Sequence, residues 1–377
     1  ENARKVLNKA RRALPGDRAV WIAAAKLEES QGHEEMVDKV VDRAIKSLSK
    51  RDTVITRAQW LEEAESAEAS GAPMTSGAIV KHSIGMNVDD EDRFRTWSED
   101  AKASVARGSV ATARAILTHA LSVLPRKLGL WMQAVDLERK HGTASTLDEI
   151  LAAASERLPS VEIFWLLRAK EQWLNSNIDK ARDILTKAFE VNPNSESVWL
   201  AAAKLEWETG ETERARVLLT RARERAPTSR VFMKSALLER EHKKLSEALH
   251  LVHAGINRYN TFAKLYMMGA QIWADDMPKE KKSLEKARKM LEAGLQACPK
   301  NHTLWILTSR LEEKAHIFDS SNGQKTGTSV TKARSVLELA RLKNSKVPEL
   351  WLEAVRLERR SGNKKLAEAV MARALQD

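Results

Sequence analysis

Cysteine is almost absent from this sequence, which holds a single one, Cys298, among 377 residues. One cysteine can form neither an intramolecular disulfide framework nor the multi-cysteine cage of a structural zinc site. Chains of this size without disulfides are typical of reducing compartments. We therefore expect this protein in the cytosol or the nucleus.

Long apolar runs are missing as well. No stretch approaches the ~20 consecutive apolar residues that span a bilayer, and the first residues have no apolar signal-peptide core. We expect no membrane partner and no secretion.

The sequence also lacks the motifs of common catalytic and ligand sites. It has no Gly-rich phosphate loop followed by Lys and no nucleophile elbow. The acidic run 89–92 lacks the alternating ligands and central Gly of a calcium loop. His250 and His253 lie three residues apart, but neither a Cys nor a paired carboxylate completes a metal site. We predict a protein that is not an enzyme and uses no metal, cofactor or small-molecule substrate.

Aromatic residues make up only 5% of the chain, and 11 of them are Trp, against 6 Phe and 2 Tyr. The Trp residues follow a period that proline shares. Members of this 34-residue pattern are Pro125, Pro159, Pro193, Pro227, Trp131, Trp165 and Trp199. A fixed period of this length is the signature of a solenoid of stacked helix pairs. We therefore expect function on an extended surface rather than in a pocket.

The clearest unit runs from Trp199 to Pro227. A first helix, helix A, begins near Trp199 and is predicted to end at Gly210, the residue type that caps helices most readily. A second helix, helix B, holds Ala215 and Arg216 and is stopped by Pro227. Each unit is therefore predicted to be an antiparallel helical hairpin, and the fold class is all-α, a right-handed α-solenoid.

A bulky residue recurs at the first position of helix A. A ring in the same phase of every hairpin lies where the hairpin closes on its neighbour, which favours a buried role. Besides Ile55, the predicted structural core positions are Trp21, Trp97, Trp131, Trp165, Trp199, Phe232, Tyr266, Trp305 and Trp351.

The domain prediction is one solenoid of about ten repeats over residues 1–377. Two stretches, 70–92 and 317–329, break the period and are rich in Gly, Ser and Asn, so we predict irregular segments there. Neither end shows a polar capping repeat, and we expect the chain to be an excerpt of a longer protein.

The dipeptides Leu-Glu in helix A and Ala-Arg in helix B recur in several units. They predict an ion pair between the two helices of one hairpin. By alignment the pairs are Glu206 with Arg216 and Glu312 with Arg334. Such pairs would fix hairpin geometry more than they add stability.

Trp residues outside the repeat phase and clustered basic residues are the candidates for groove or interface contacts. For the Trp residues the alternative is that they cover a neighbouring helix, and for the basic residues it is an ordinary solvated face. These candidates are Trp60, Trp173, Trp207, Trp273, Arg221, Arg225, Arg359 and Arg360.

The repeat resembles two known helical repeats. The 34-residue period and the residues Ala203, Ala215, Ala222 and Pro227 fit the tetratricopeptide repeat (TPR), but Glu206 stands where that repeat prefers Tyr. Trp followed six and seven residues later by Leu-Glu, with Ala-Arg in the second helix, resembles the half-a-tetratricopeptide (HAT) repeat. The resemblance implies HAT/TPR-like helix pairs. Because HAT repeats are found in RNA-processing proteins, it also implies a role in RNA processing.

Longer segments resemble the HAT region of the pre-mRNA-processing factor six family. They are residues 92–101, 192–196, 230–235, 265–272 and 341–344. Members of this family bridge the two halves of the spliceosomal tri-snRNP. The resemblance implies a nuclear, non-catalytic scaffold in pre-mRNA splicing, with spliceosomal snRNP proteins as partners.

The alternative function is a helical-repeat module that binds RNA directly. The chain has 63 basic and 52 acidic residues, a net charge of +11. A basic surface of this kind attracts nucleic acid when the charges form a continuous track.

Overall fold

A computed structural model describes residues 2–49, 55–277, 281–321, 328–344 and 346–375. These residues form helices and connecting turns, and no strand occurs among them. The chain divides into two compact units, Glu1–Val191 and Asn192–Asp377, which are described separately.

The described helices of the first unit alternate between helix A and helix B from α2 onward. In order they are α1 (Asn2–Ala13), α2 (Arg18–Ser30), α3 (Glu34–Ser49), α4 (Arg57–Ala69), α5 (Pro73–Ser83), α6 (Arg93–Ala106), α7 (Val110–Val123), α8 (Leu128–His141), α9 (Ala144–Arg157), α10 (Glu162–Leu174) and α11 (Ile178–Val191).

The second unit continues the alternation, and its third helix A ends in a π-helical turn. Its described helices are α12 (Glu196–Glu208), α13 (Thr212–Arg225), α14 (Ser229–Glu241), α15 (Leu245–Arg258), α16 (Ala263–Gln271) with the π-helical turn Ile272–Asp276, α17 (Lys281–Ala297), α18 (His302–Ser321), α19 (Thr328–Lys343), α20 (Pro348–Arg360) and α21 (Lys364–Ala374). Both units are stacks of antiparallel helix pairs, which confirms the predicted all-α solenoid fold class.

The turn inside each hairpin is set by local chemistry, as the α12–α13 turn shows. Gly210 has a φ of 84°, a left-handed conformation that only glycine adopts without strain. Its N–H donates to the carbonyl of Trp207, and the N–H of Glu211 donates to the carbonyl of Glu206. This pair of bonds is a Schellman motif. The predicted stop at Gly210 is therefore confirmed.

The turn between hairpins is closed by a tryptophan. The Trp131 indole N–H donates to the carbonyl of Pro125 at 2.8 Å. Proline follows the end of one helix B, and Trp lies six residues later in the next helix A. The indole therefore gives a hydrogen-bond donor to a backbone carbonyl that the turn would otherwise leave without one. The same bond joins Trp21 to Pro15, Trp165 to Pro159, Trp199 to Pro193 and Trp305 to Pro299, at 2.8–3.1 Å.

At two junctions where the sequence departs from this pattern, either the donor or the acceptor of the bond is replaced. Met233 stands six residues after Pro227, and there the hydroxyl of Tyr259 donates to the Pro227 carbonyl. Trp97 has no proline before it, and its indole donates to the carbonyl of Ile84 at 2.9 Å. At these two junctions a hydrogen bond is therefore kept although its residues change.

The nine predicted core positions divide into two groups. Seven are buried, with exposed fractions of 1–8%: Trp97, Trp131, Trp165, Trp199, Phe232, Tyr266 and Trp305. Trp21 and Trp351 are half-buried. The guanidinium groups of Arg11 and Arg341 lie over their rings, at 5.1 Å and 4.3 Å from the ring centres.

The prediction of an irregular segment over 70–92 is wrong for its centre, because Pro73–Ser83 forms α5. Pro73 begins this helix, a position where its missing N–H costs nothing. The small residues of this segment allow α5 to pack directly between α3 and α7. The hydroxyls of Ser76 and Thr112 are hydrogen bonded at 2.8 Å inside that contact.

The prediction for 317–329 is also wrong at both ends. Helix α18 continues to Ser321, and α19 begins at Thr328. Ser and Asp each cost a helix less than about 0.7 kcal/mol, and neither Gly nor Pro interrupts 317–321. Residues 322–327 lie outside the described part. The grouping of the whole chain into one solenoid of about ten repeats stays a prediction.

Replacing Trp131 separates packing from hydrogen bonding at a hairpin junction. We expect Trp131→Ala to lower the free energy of unfolding by about 3–5 kcal/mol because the buried ring leaves a cavity. Trp131→Phe keeps most of the ring and should cost about 1 kcal/mol, the value of the bond to Pro125. Urea unfolding measures both, with Leu128→Ala, at 44% exposed, as the surface control. A Trp131→Phe variant as stable as the wild type would contradict the assigned bond, and equal losses for the two variants would contradict the assigned packing.

Candidate interaction surface

Arginine–glutamate pairs join five of the described B helices to the helix A of the next hairpin. Arg114 on α7 donates to Glu138 on α8 through two nitrogens, at 2.6 Å and 3.2 Å. In all of these pairs the arginine belongs to an Ala-Arg dipeptide and the glutamate to a Leu-Glu dipeptide. The further pairs of this kind are Arg4 with Glu28, Arg216 with Glu239, Arg288 with Glu312 and Arg334 with Glu358.

The predicted pairing within one hairpin is therefore wrong. Arg216 binds Glu239 rather than Glu206, and Arg334 binds Glu358 rather than Glu312. The arginine lies on the side of helix B that packs against the following hairpin, so the carboxylate within reach belongs to the next helix A. These pairs set the register between hairpins.

Each of these carboxylates is buried, while its arginine stays partly exposed. The Glu239 residue is 5% exposed, and the hydrogen bond from Arg216 lowers the pKa of that carboxyl, while burial opposes the shift. Removing one member of such a pair leaves a buried charge without its partner. These arginines therefore have a structural role in holding one hairpin to the next.

Further ion pairs join one helix A to the next in the second unit. Arg310 on α18 binds Glu353 on α20 at 2.7 Å, and Arg230 on α14 binds Glu196 on α12 at 3.2 Å. Arg360, a predicted interface residue, also belongs to this network. Its guanidinium contacts Glu353 at 3.0 Å and Glu313 at 2.8 Å.

The π-helical turn after α16 joins its helix to both neighbours. Asp276 accepts from Arg240 on α14, and Asp275 accepts from Lys314 on α18, both at 2.5 Å. A π-turn holds more residues than an α-turn and re-aims adjacent side chains. Trp273, a predicted interface residue in this turn, is half-buried. The ammonium group of Lys286 lies 4.0 Å from its ring centre.

The other predicted tryptophans have different environments. Trp60 is only 2% exposed within the core of the first unit, so the prediction of an interface role is wrong for this residue. The prediction placed the repeat position at Ile55, but α4 begins at Arg57 and Trp60 takes a buried position in it. Trp173 on α10 and Trp207 on α12 are half-buried.

Trp207 lines a groove of about 500 Å³ between α12 and α14. Leu200 and Leu237 are also half-buried in its wall. Lys204 and Lys234 are exposed at its edges. The groove therefore combines an apolar wall that includes an aromatic ring with positive charges beside it.

A smaller groove of about 290 Å³ lies between α16 and α18. Met267 and Leu307 are half-buried in it, and Arg310 and Lys314 line it. Both grooves lie between consecutive A helices of the second unit. Apolar walls with a few polar groups are the usual character of binding clefts. Sequence periodicity marked Trp207 but could not locate the opposing wall, which comes from another hairpin.

The remaining predicted basic residues are exposed. Arg221 and Arg225 lie one turn apart on α13, and Arg359 lies on α20. Among the described residues, no group of three or more His, Cys, Asp or Glu side chains could hold a metal ion. The same part of the chain contains no helix with the length and apolarity to cross a membrane.

The chain consists of stacked helix pairs joined by Trp–Pro hydrogen bonds and Arg–Glu ion pairs. This architecture places it in the class of TPR-like repeat proteins. Residues 173–238 match the family model described as tetratricopeptide repeat. Among solved structures, that of yeast Tom70 is similar to 99% of this chain and 87% of its own, with 12% identity and a TM-score of 0.45.

Similarity to individual curated proteins points to a narrower family within this class. The chain is similar to pre-mRNA-splicing factor prp1 of Schizosaccharomyces pombe, with 42% identity over 349 residues, or 93% of this chain and 36% of that protein. It is also similar to human pre-mRNA-processing factor 6, with 47% identity over 106 residues, or 28% of this chain and 11% of that protein. These homologues confirm the predicted resemblance to the pre-mRNA-processing factor six family. The chain spans about a third of the length of the S. pombe relative.

The Arg216–Glu239 pair makes stability depend on pH. Because the folded-state pKa of Glu239 is lowered, its contribution is present above the unfolded carboxyl pKa of ~4.3 and disappears as the pH falls through the folded value. We expect Glu239→Gln to cost about 1–3 kcal/mol at pH 7, as for a hydrogen bond to a charged group. The difference from wild type should shrink toward pH 3.

Urea unfolding at several pH values measures this difference. Glu224→Gln, at an exposed position on α13, is the matched control and should show little difference at any pH. A loss for Glu239→Gln that stays constant from pH 7 to pH 3 would mean that the pair does not hold the carboxylate ionised.

Proposed function

We propose that this chain is the helical-repeat scaffold of a pre-mRNA splicing factor in the nucleus, that it has no catalytic role, and that it binds spliceosomal snRNP proteins. The names of its relatives support the splicing role, since the similarity to the S. pombe splicing factor spans 93% of this chain. The tri-snRNP bridging role comes from the family resemblance described above.

The groove between α12 and α14 is the observation that carries the scaffold proposal. Its volume of about 500 Å³ falls in the range of ligand clefts, ~300–1,000 Å³, and holds several side chains of a bound protein segment. Trp207 is half-buried there, and aromatic residues at such positions dominate protein interfaces. Lys234 at its edge favours a segment that carries an acidic residue beside its apolar ones, whereas Lys204 lies 3.5 Å from Glu208.

The distribution of rings and charges favours protein over RNA as the ligand. RNA-binding surfaces stack bases on exposed aromatic rings along a positive groove. Here seven of the nine repeat rings are buried, and many arginines are held by carboxylates. Glu208 and Glu241 also line the α12–α14 groove, where they oppose a polyanion. The exposed Arg221 and Arg225 are the residues on which the RNA alternative rests.

Groove and basic-surface variants of the full-length protein separate the two functions. We expect Trp207→Ala to weaken co-precipitation of spliceosomal proteins from nuclear extract about tenfold or more, since truncating an interface anchor costs ~2 kcal/mol or more. The loss should persist after nuclease treatment. The control is Arg221→Gln combined with Arg225→Gln, which should keep these partners.

The opposite pattern supports direct RNA binding. Partners that disappear on nuclease treatment, or with the Arg221 and Arg225 double variant alone, would overturn the scaffold proposal. Binding of single-stranded RNA with a steep dependence on salt would point the same way, because phosphate contacts release counterions.

A further inference from the structure

A third groove, of about 250 Å³, lies on another face of α14, between α13 and α15. Ser235 and Leu238 of α14 line it, and Arg223 of α13 reaches into it. It differs in character from the α12–α14 groove because a half-buried guanidinium, rather than an aromatic ring, is its main feature.

Arg223 occupies a repeat position whose other arginines are engaged. Seven residues after the Ala-Arg arginine, α1 has Arg11 and α19 has Arg341. Each lies over the tryptophan ten residues further on, Trp21 and Trp351. The residue ten positions after Arg223 is Met233. The ring that would cover this guanidinium is therefore replaced by a thioether.

Arg223 is left with unused hydrogen-bond donors. In the described part of the chain its sole hydrogen-bond partner is the hydroxyl of Thr220, at 3.1 Å. A guanidinium has five N–H donors. Burial lowers the pKa of Arg223, while the charges of Glu239 and Glu224 oppose that shift without direct contact. A partly desolvated cation with free donors gains most from an oxygen anion that enters the groove.

The charges around Arg223 limit what that anion can be. Glu239 is committed to Arg216, and Glu247 also lines the groove. A nucleic acid strand would bring successive phosphates against these carboxylates. A single carboxylate on a mainly apolar segment avoids them, and Leu219 and Leu251 supply apolar wall for its neighbours.

We propose that Arg223 receives the carboxylate of an acidic residue in a protein segment that binds along α13 and α15. The site depends neither on the α12–α14 groove nor on the splicing role. At this site the second unit would recognise a bound segment by one acidic residue that is flanked by apolar side chains.

A phage-displayed library of random 12-residue peptides, selected against the whole chain, tests the site. We expect selected peptides to share one Asp or Glu next to apolar residues. Fluorescence anisotropy then compares wild type with R223Q and R223M, and with R221Q as the control at an exposed position two residues away. Loss of one charged hydrogen bond, ~1.5–3 kcal/mol, weakens binding about tenfold or more.

Four results would support the site together. R223Q and R223M both lose affinity for the peptide, and R221Q does not. The acid-to-amide version of the peptide binds wild type as weakly as the acidic peptide binds R223Q. Combining the amide peptide with R223Q causes no further loss of affinity. The amide peptide tests the site on wild-type protein, so the comparison holds even where a variant is less stable in thermal unfolding.

The proposal is overturned if no peptides are selected, if they lack a shared acidic residue, or if R223Q and R221Q bind them equally. Displacement of the peptides by oligouridylate, with RNA binding that itself requires Arg223, would show that the groove takes a phosphate backbone. The α12–α14 variant Trp207→Ala should leave peptide binding unchanged, which keeps this result separate from the proposed function.

Discussion

The hydrogen bond from a tryptophan indole to a proline carbonyl is the contact on which the repeat geometry depends. Proline stops one hairpin, and the ring six residues later fills the space against the next, as in Pro125 and Trp131. One side chain therefore fixes the turn and contributes to the core. Where Met233 replaces the ring, Tyr259 supplies the donor instead, so this junction keeps the bond although the residue has changed.

Once the junction is fixed, the charges are aligned between hairpins. Arg114 and Glu138 lie 24 residues apart, a separation that brings them together only when the intervening turn is held. Such pairs contribute register because the buried carboxylate has few other partners. The count of 63 basic residues therefore overstates the number of cations offered to ligands. The exposed Arg221 and Arg225 and the half-buried Arg223 are cations that this framework does not use.

Recognition is expected where side chains are left partly exposed by the packing of the repeats. Within the second unit, the grooves between consecutive A helices hold half-buried apolar side chains such as Trp207 and Met267. The π-helical turn Ile272–Asp276 pins neighbouring helices through charged contacts. The missing ring at Met233 leaves Arg223 uncovered. In a repeat protein, a departure from the pattern at one hairpin changes a surface without disturbing distant hairpins, because each hairpin contacts mainly its neighbours.

The sequence alone determined the helical hairpins, their period and the buried phase of most repeat rings, because glycine caps, proline stops and bulky core residues act over a few neighbouring positions. It predicted loops at Pro73–Ser83, since small residues suit both a loop and a tightly packed helix. It left Trp60 as an interface candidate and paired Glu206 with Arg216. Only the tertiary structure decided these points, because burial and ion pairing depend on which face of a helix meets the next hairpin, and that contact joins residues distant in the chain.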